Sequence, residues 1–161
     1  MEIYILRHGD AEPRSAEVEE ADRKLTAKGR HDVENVMRAA AACKVAPEIV
    51  LTSPYRRAIE TAQLAMRELE SKPKLIQTDV LLPEGRVEQV WKELRGHAAT
   101  QEILLAGHEP QFSQLVAYLL AAPSLHFDFK KGALVRITMD RVSGYPHGEL
   151  KWIVTPSFFR E

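Results

Sequence analysis

The chain has 161 residues, of which 45% are hydrophobic and 28% are charged, and its formal net charge is −1. This balance fits a single globular domain over residues 1–161 and excludes a disordered chain. A net charge so close to zero argues against binding to nucleic acid or to a membrane, so any anion site must come from locally clustered arginines. The N-terminus lacks a signal-peptide pattern and no apolar run reaches membrane-spanning length, so we expect a cytoplasmic protein.

The first predicted strand leads directly into two basic side chains. Residues 2–6 (EIYIL) form an apolar run typical of a buried strand, and Arg7 and His8 follow it. The highly charged segment 13–24 is predicted to be a mobile surface loop near any pocket formed there. From Thr26 onward a helix is predicted, because apolar residues recur at helical spacing at Val33, Val36, Met37, Ala40 and Ala41.

Two further units repeat the order of strand, polar turn and helix. Residues 49–52 predict a strand, after which Ser53 is expected to cap a helix that has Pro54 as its first residue. Residues 103–106 predict a third strand, which leads into His108 and a further helix that begins near the next proline.

The C-terminal part follows a different pattern. Residues 133–139 and 150–154 predict two strands joined by a polar loop, and one of them could run antiparallel at an edge of the sheet. Strands that alternate with helices in the rest of the chain predict an α/β fold with a mostly parallel sheet.

Basic side chains follow each of the first three predicted strands. Ligands bind at the carboxyl ends of parallel strands, so Arg7, His8, Arg57 and His108 could share one pocket with a helix N-terminus and no acidic counterweight. Such a pocket favours phosphate: the arginines could hold its oxygens, His108 could donate to them, and His8 could be nucleophile, general base or metal ligand. Each residue alone has a simpler explanation as a turn, cap or surface residue, and only their joint occurrence favours a site.

Four segments, in order, resemble the motifs of the histidine phosphatase (phosphoglycerate mutase-like) superfamily. They are residues 6–12 (LRHGDAE), 25–29 (LTAKG), 53–62 (SPYRRAIETA) and 107–110 (GHEP). The resemblance extends from residue 3 to about residue 116. The short chain and its RHGDA start are similar to the SixA-type phosphohistidine phosphatases in particular.

This resemblance implies a single histidine phosphatase domain with a three-layer α/β/α fold around a mostly parallel sheet. It implies that His8 is the nucleophile and forms a covalent phosphohistidine intermediate, and that Arg7, Arg57 and His108 bind the substrate phosphate. Arg57 fills the arginine position of its motif, and Arg56 does not. The resemblance implies no metal and no cofactor.

The identity of the proton donor is left open. Residues 81–86 (LLPEGR) resemble the abbreviated SixA-type loop, whereas members that cleave phosphoesters carry a glutamate donor in a longer segment. Glu84 is the candidate donor, although an exposed loop residue is an equally simple interpretation. Asp10 and Glu12, both close to His8 in the chain, and solvent are the alternatives.

The predicted function is therefore that of a phosphatase acting on a phosphohistidine-bearing protein, such as a phosphotransfer or phosphorelay domain, and releasing phosphate. A general small-molecule phosphomonoesterase is the alternative within the superfamily. A weakly active phosphohistidine-binding module is the alternative of a different class. The intact His8 and His108 favour the enzyme, and the lack of ligand spacing beside either histidine argues against a metal hydrolase.

Overall fold

The computed structural model describes residues 1–159, in which a six-stranded sheet lies between two pairs of helices. The strands are β1 (Glu2–Arg7), β2 (Ile49–Thr52), β3 (Lys74–Gln77), β4 (Glu102–Gly107), β5 (Leu134–Thr138) and β6 (Glu149–Val154). The helices are α1 (Ala27–Ala42), α2 (Arg56–Glu68), α3 (Val87–Gly96) and α4 (Gln111–Leu119). Short 3₁₀ helices occur at Glu20–Asp22, Asp79–Leu81 and Pro156–Phe159.

The order of the strands brings three chain segments to one edge of the sheet. The order is β3-β2-β4-β1-β5-β6, with β1 to β4 parallel and with β5 antiparallel to both β1 and β6. The sheet is thus mostly parallel, as predicted. Because β2, β4 and β1 are parallel neighbours, their carboxyl ends meet, and these ends lead into Ser53, His108 and His8.

Helices α1 and α2 cover one face of the sheet, and α3 and α4 cover the other, which confirms the three-layer arrangement. Successive side chains of a strand point to opposite faces, so β1 contributes to both cores. Tyr4 and Leu6 pack in the core that contains α1 and α2, while Ile3 and Ile5 pack in the core that contains α3 and α4. Burial on both faces explains why these strands are continuous apolar runs in the sequence.

Several local predictions need correction. Strand β3 and helix α3 were not predicted, and the apolar residues of α3, at Val87, Val90, Trp91 and Leu94, do have helical spacing. Helix α2 begins at Arg56, so the prediction that Ser53 caps it was wrong. The physical reason is that Ser53 is fully buried at the end of β2, where its hydroxyl contacts a neighbouring strand end instead.

Two other expectations concern single elements of the fold. Helix α1 does begin after Thr26, whose hydroxyl accepts the N–H of Gly29 at 2.9 Å.

Among residues 1–159, none of the helices combines the length and the apolar character that a bilayer crossing requires.

Candidate active site

A cleft of about 450 Å³ opens at the carboxyl edge of the sheet. It is lined by Arg7, His8, Arg14, Glu20, Arg23, Tyr55, Arg57, Pro83, Glu84, His108, Glu109 and Lys131. Another groove, of about 490 Å³, is lined mainly by apolar side chains such as Tyr118, Leu125 and Phe127, and it contains none of the predicted site residues. The charged cleft is therefore the candidate active site.

His8 follows β1 and is 8% exposed, and its imidazole is held in one tautomer. Its Nδ1 lies 2.7 Å from the carbonyl oxygen of Gly9. A carbonyl can only accept, so Nδ1 carries the hydrogen and Nε2 keeps its lone pair. Nε2 accepts the Nε–H of Arg57 at 3.3 Å. Burial lowers the pKa of His8 to about 3, so the ring is neutral near neutral pH.

Arg57 lies in the first turn of α2 and is 5% exposed. Its Nη1 donates to the backbone carbonyl of Glu20 at 2.8 Å, and its Nη2 lies 3.1 Å from Oε1 of the same glutamate. The ring of Tyr55 stacks on the guanidinium at 5.0 Å. The expectation of a pocket without an acidic counterweight was wrong, because the 3₁₀ turn Glu20–Asp22 carries a carboxylate onto Arg57.

Arg7 is anchored at one end and has a free donor at the other. Its Nη1 donates to the carbonyl of Phe129, whereas its Nε is buried and has no hydrogen-bond partner within residues 1–159. Burial lowers the pKa of Arg7, and the carboxylates of Glu109 and Asp128 act in the opposite direction. An anion bound in the cleft would supply the acceptor that the buried N–H lacks.

His108 follows β4 and is 1% exposed. Its ring centre is 5.1 Å from that of His8, and its Nε2 lies 2.8 Å from Oγ of Ser53. Its Nδ1 is buried and has no hydrogen-bond partner in the described part of the chain. Burial lowers the pKa of His108 to about 2, with smaller contributions from the charges of the cleft, so this ring is neutral as well.

Close packing of the backbone fixes the turn that carries His8. The N–H of Gly9 donates to Oγ1 of Thr61 at 3.2 Å, and the hydroxyl of Thr61 donates to the carbonyl of Arg57 at 2.7 Å. A Cβ atom at Gly9 would lie 2.6 Å from the carbonyl oxygen of Gly29. Only glycine therefore fits between this turn and the start of α1.

Comparison with known proteins identifies the family. The family model described as histidine phosphatase superfamily (branch 1) matches residues 3–84. An uncharacterized protein of Picosynechococcus sp. is 30% identical over 164 residues, which cover 98% of this chain and 98% of that protein. The chain belongs to the histidine phosphatase superfamily. The predicted class of enzyme, a phosphatase, is confirmed at the level of the superfamily.

Comparison with solved structures confirms the fold. The protein histidine phosphatase SixA complexed with tungstate is 27% identical to this chain, with a TM-score of 0.89 over 99% of this chain and 100% of that chain. The α-ribazole phosphatase from Shigella flexneri is 20% identical, with a TM-score of 0.73 over 97% of each chain, and shows the fold alone. The predicted resemblance to SixA-type phosphatases is therefore confirmed.

The candidate proton donors differ in where they lie. Glu84 lines the cleft of this histidine phosphatase, is exposed, and has no hydrogen-bond or ion-pair partner among residues 1–159. Asp10 lies outside the lining and accepts Nζ–H of Lys131 at 2.7 Å, and this hydrogen bond lowers the pKa of Asp10. Glu12 also lies outside the lining. Of the predicted donors, only Glu84 faces the cleft.

Five charged residues of the lining were not predicted individually: Arg14, Glu20, Arg23, Glu109 and Lys131. The charged segment 13–24 does lie at the cleft, where Arg14 and Arg23 form ion pairs with Glu20 at 3.2 and 2.8 Å. Glu109 accepts the N–H and the hydroxyl of Ser113, both at 2.8 Å, at the start of α4. Glu109 lies within the motif at residues 107–110, which was the one signal available for it.

The positive charge of the cleft comes from side chains. Arg7, Arg14, Arg23, Arg57 and Lys131 all line it. The part of the chain covered by the structure contains no group of three or more His, Cys, Asp or Glu side chains that could hold a metal ion. The expectation that the enzyme needs no metal stays a prediction.

Proposed function

We propose that this phosphatase hydrolyses phosphohistidine in a partner protein, such as a phosphotransfer or phosphorelay domain. The observation that carries the proposal is the state of His8, a neutral imidazole whose Nε2 lone pair faces Arg57 in a cationic cleft. The full-length similarity to a protein histidine phosphatase supports the choice of substrate. The residues that the mechanism uses lie between Arg7 and His108. We propose that they belong to a single domain.

The first step transfers the phosphoryl group to the enzyme. Phosphoryl binding draws the Nε–H of Arg57 away from Nε2 of His8, which then attacks phosphorus and forms a new N–P bond. The N–P bond of the substrate breaks, its electron pair stays on the substrate imidazole, and a proton from solvent on the other ring nitrogen lets that imidazole leave neutral. Arg7, Arg57 and His108 stabilise the charge that spreads over the equatorial oxygens. The incoming phosphoryl group takes the place of Glu20 at the guanidinium of Arg57.

The second step releases phosphate. Water attacks the phosphoryl group on His8, the N–P bond breaks, and the electron pair returns to Nε2 of the neutral ring. The hydrogen bond from Nδ1 to Gly9 keeps the ring in the same tautomer throughout, so the next substrate meets a lone pair again.

The leaving group decides between the two phosphatase substrates. Imidazole has an ordinary pKa of about 6.5, so a phosphohistidine leaving group takes its proton from solvent near neutrality. An alkyl phosphoester must expel an alkoxide, which needs a positioned acid. Glu84 is exposed and no partner positions it in the described structure, which favours the phosphoramidate. Glu84 does line the cleft, where it could protonate an alkoxide, and this observation favours a small-molecule phosphomonoesterase as the second candidate.

The test compares phosphate release from a phosphohistidine-bearing phosphotransfer domain with release from glycerol phosphate. We expect the phosphohistidine to be hydrolysed at least about 10²-fold faster, the scale of general-acid catalysis that the ester would lack. Rapid quenching should trap acid-labile phosphate on His8 of the wild type and none on the His8→Ala variant. Comparable rates on the two substrates would favour the phosphomonoesterase, and binding without turnover would favour the binding module.

A further inference from the structure

The buried hydroxyl of Ser53 has a contact that the proposed mechanism leaves unused. Its Oγ lies 2.8 Å from Nε2 of His108 and accepts the N–H of Tyr55 at 3.3 Å. The N–H of Ser53 donates to the carbonyl of Ala106 at 3.0 Å, so the pairing of β2 with β4 holds the hydroxyl against the imidazole. Ser53 therefore lies behind His108 and contacts this imidazole without lining the cleft itself.

The hydrogen-bond geometry defines where the protons lie. A serine hydroxyl has one donor and two acceptor lone pairs, and the N–H of Tyr55 uses one lone pair. Among the described residues, the acceptor that the hydroxyl hydrogen can reach is Nε2 of His108. A buried O–H without an acceptor is unfavourable, so the bond runs from Ser53 to Nε2. The neutral ring of His108 then carries its own hydrogen on Nδ1.

We infer that Ser53 is a positioning residue that holds His108 in the Nδ1–H tautomer, so that this N–H donates to an oxygen of the transferring phosphoryl group. The Nδ1 atom is buried and unpartnered within residues 1–159, as is Nε of Arg7 in the same cleft. In the other tautomer Nδ1 would present a lone pair to the phosphoryl oxygens and repel them. The inference rests on the proposed function, because it assumes that a phosphoryl group binds beside His8.

Nuclear magnetic resonance of the protein labelled with ¹⁵N-histidine tests the tautomer directly. Two-bond ¹H–¹⁵N correlation spectra separate protonated from bare ring nitrogens, and a His108→Gln variant assigns the signals. We expect His108 to have a protonated Nδ1 and a bare Nε2 in the free protein. Addition of inorganic phosphate should shift the Nδ1 resonance as the hydrogen bond forms.

Substitutions of Ser53 test whether the tautomer of His108 affects kcat. Ser53→Ala should release the ring into a mixture of tautomers and lower kcat about ten- to hundredfold, the scale known for removing groups that orient metal-bound histidines. The rise in KM should be smaller than this fall in kcat. Ser53→Thr keeps the hydroxyl and should restore the Nδ1–H signal and most of the rate.

Thr52→Val is the matched control. Thr52 is as fully buried as Ser53, and its hydroxyl donates to the carbonyl of Ser53 at 3.1 Å without contacting His108. This variant should keep the His108 spectrum and the wild-type kcat. A wild-type His108 protonated on Nε2, or a Ser53→Ala protein with unchanged tautomer and rate, would overturn the inference. A wild type inactive on every phosphorylated substrate would contradict the proposed function, while the free-protein spectrum decides the tautomer independently.

Discussion

Lowering the pH from about 7.5 to about 5 should destabilise the fold through its two buried imidazoles. Burial lowers the pKa of His8 from 6.5 to about 3 and that of His108 from 6.5 to about 2. As the pH falls through 6.5, the unfolded chain takes up a proton at each ring and the folded protein does not. The stabilising contribution is thus complete above pH 6.5 and is lost progressively as the pH falls towards the folded pKa values.

The size of the effect follows from proton linkage. Each bound proton changes the free energy of unfolding by about 1.36 kcal/mol per pH unit. Between pH 6.5 and about 5, which is roughly 1.5 units, each ring lowers the free energy of unfolding by about 2 kcal/mol. The two rings together lower it by about 4 kcal/mol. That is a large part of a typical stability of about 5–15 kcal/mol. The lowered pKa values of Glu2, Asp10 and Glu20 reduce stability mainly as the pH falls through their ordinary values of 4.5, 3.8 and 4.5, below most of the histidine range.

Urea unfolding followed by circular dichroism at a series of pH values measures this loss. The control is the double variant His8→Asn and His108→Gln, which keeps amide groups at both positions and cannot bind the two protons. The remaining histidines are common to both proteins, so their titration cancels. Wild type should lose about 4 kcal/mol more than the double variant over this pH range. Parallel profiles for the two proteins would refute the assignment of two neutral, buried rings.

Four further predictions concern turnover of a phosphohistidine peptide. Arg57→Lys should lower kcat/KM almost as much as Arg57→Ala, by roughly 10²–10³-fold, because an ammonium cannot replace a planar fork of donors; Arg56→Ala should be close to wild type, since Arg56 is exposed and pairs with Glu60. Glu20→Gln should lower KM, because the carboxylate that occupies Arg57 in the free enzyme loses its charge. Glu84→Gln should change the rate on this substrate by less than about twofold, since imidazole leaves without a positioned acid. Activity should survive exhaustive treatment with EDTA, because arginines and imidazoles supply the charge stabilisation.

Steady-state phosphate release checks all four predictions. A larger loss with Arg56→Ala than with Arg57→Ala would mean that the motif was assigned to the wrong arginine. An unchanged KM in Glu20→Gln would mean that Glu20 does not compete with the phosphoryl group. A loss of about 10² or more in Glu84→Gln would identify that residue as a general acid. Restoration by Mg²⁺ or Zn²⁺ after inactivation by EDTA would support a metal mechanism.

The strands that position the site were predictable, because helices cover both faces of the sheet and leave continuous apolar runs. The predicted runs 2–6, 49–52 and 103–106 correspond to β1, β2 and β4 to within a residue at each end. Strand β3 gave no such run, since it is a short edge strand whose first and last residues, Lys74 and Gln77, are exposed. Only Leu75 and Ile76 lie between those exposed ends, which is too short an apolar run to predict a strand.

The sequence by itself predicted four residues that the structure brings together in the cleft, since Arg7, His8, Arg57 and His108 lie in short motifs close to predictable strand ends. Each motif is a short run of consecutive residues, which the linear sequence displays directly. Only the tertiary structure decided which side chains those groups meet. Glu20 reaches Arg57 across 37 positions of the chain, and Ser53 turns its hydroxyl to His108 across 55. Those partnerships depend on which polar groups are buried together by packing, and no local pattern encodes them.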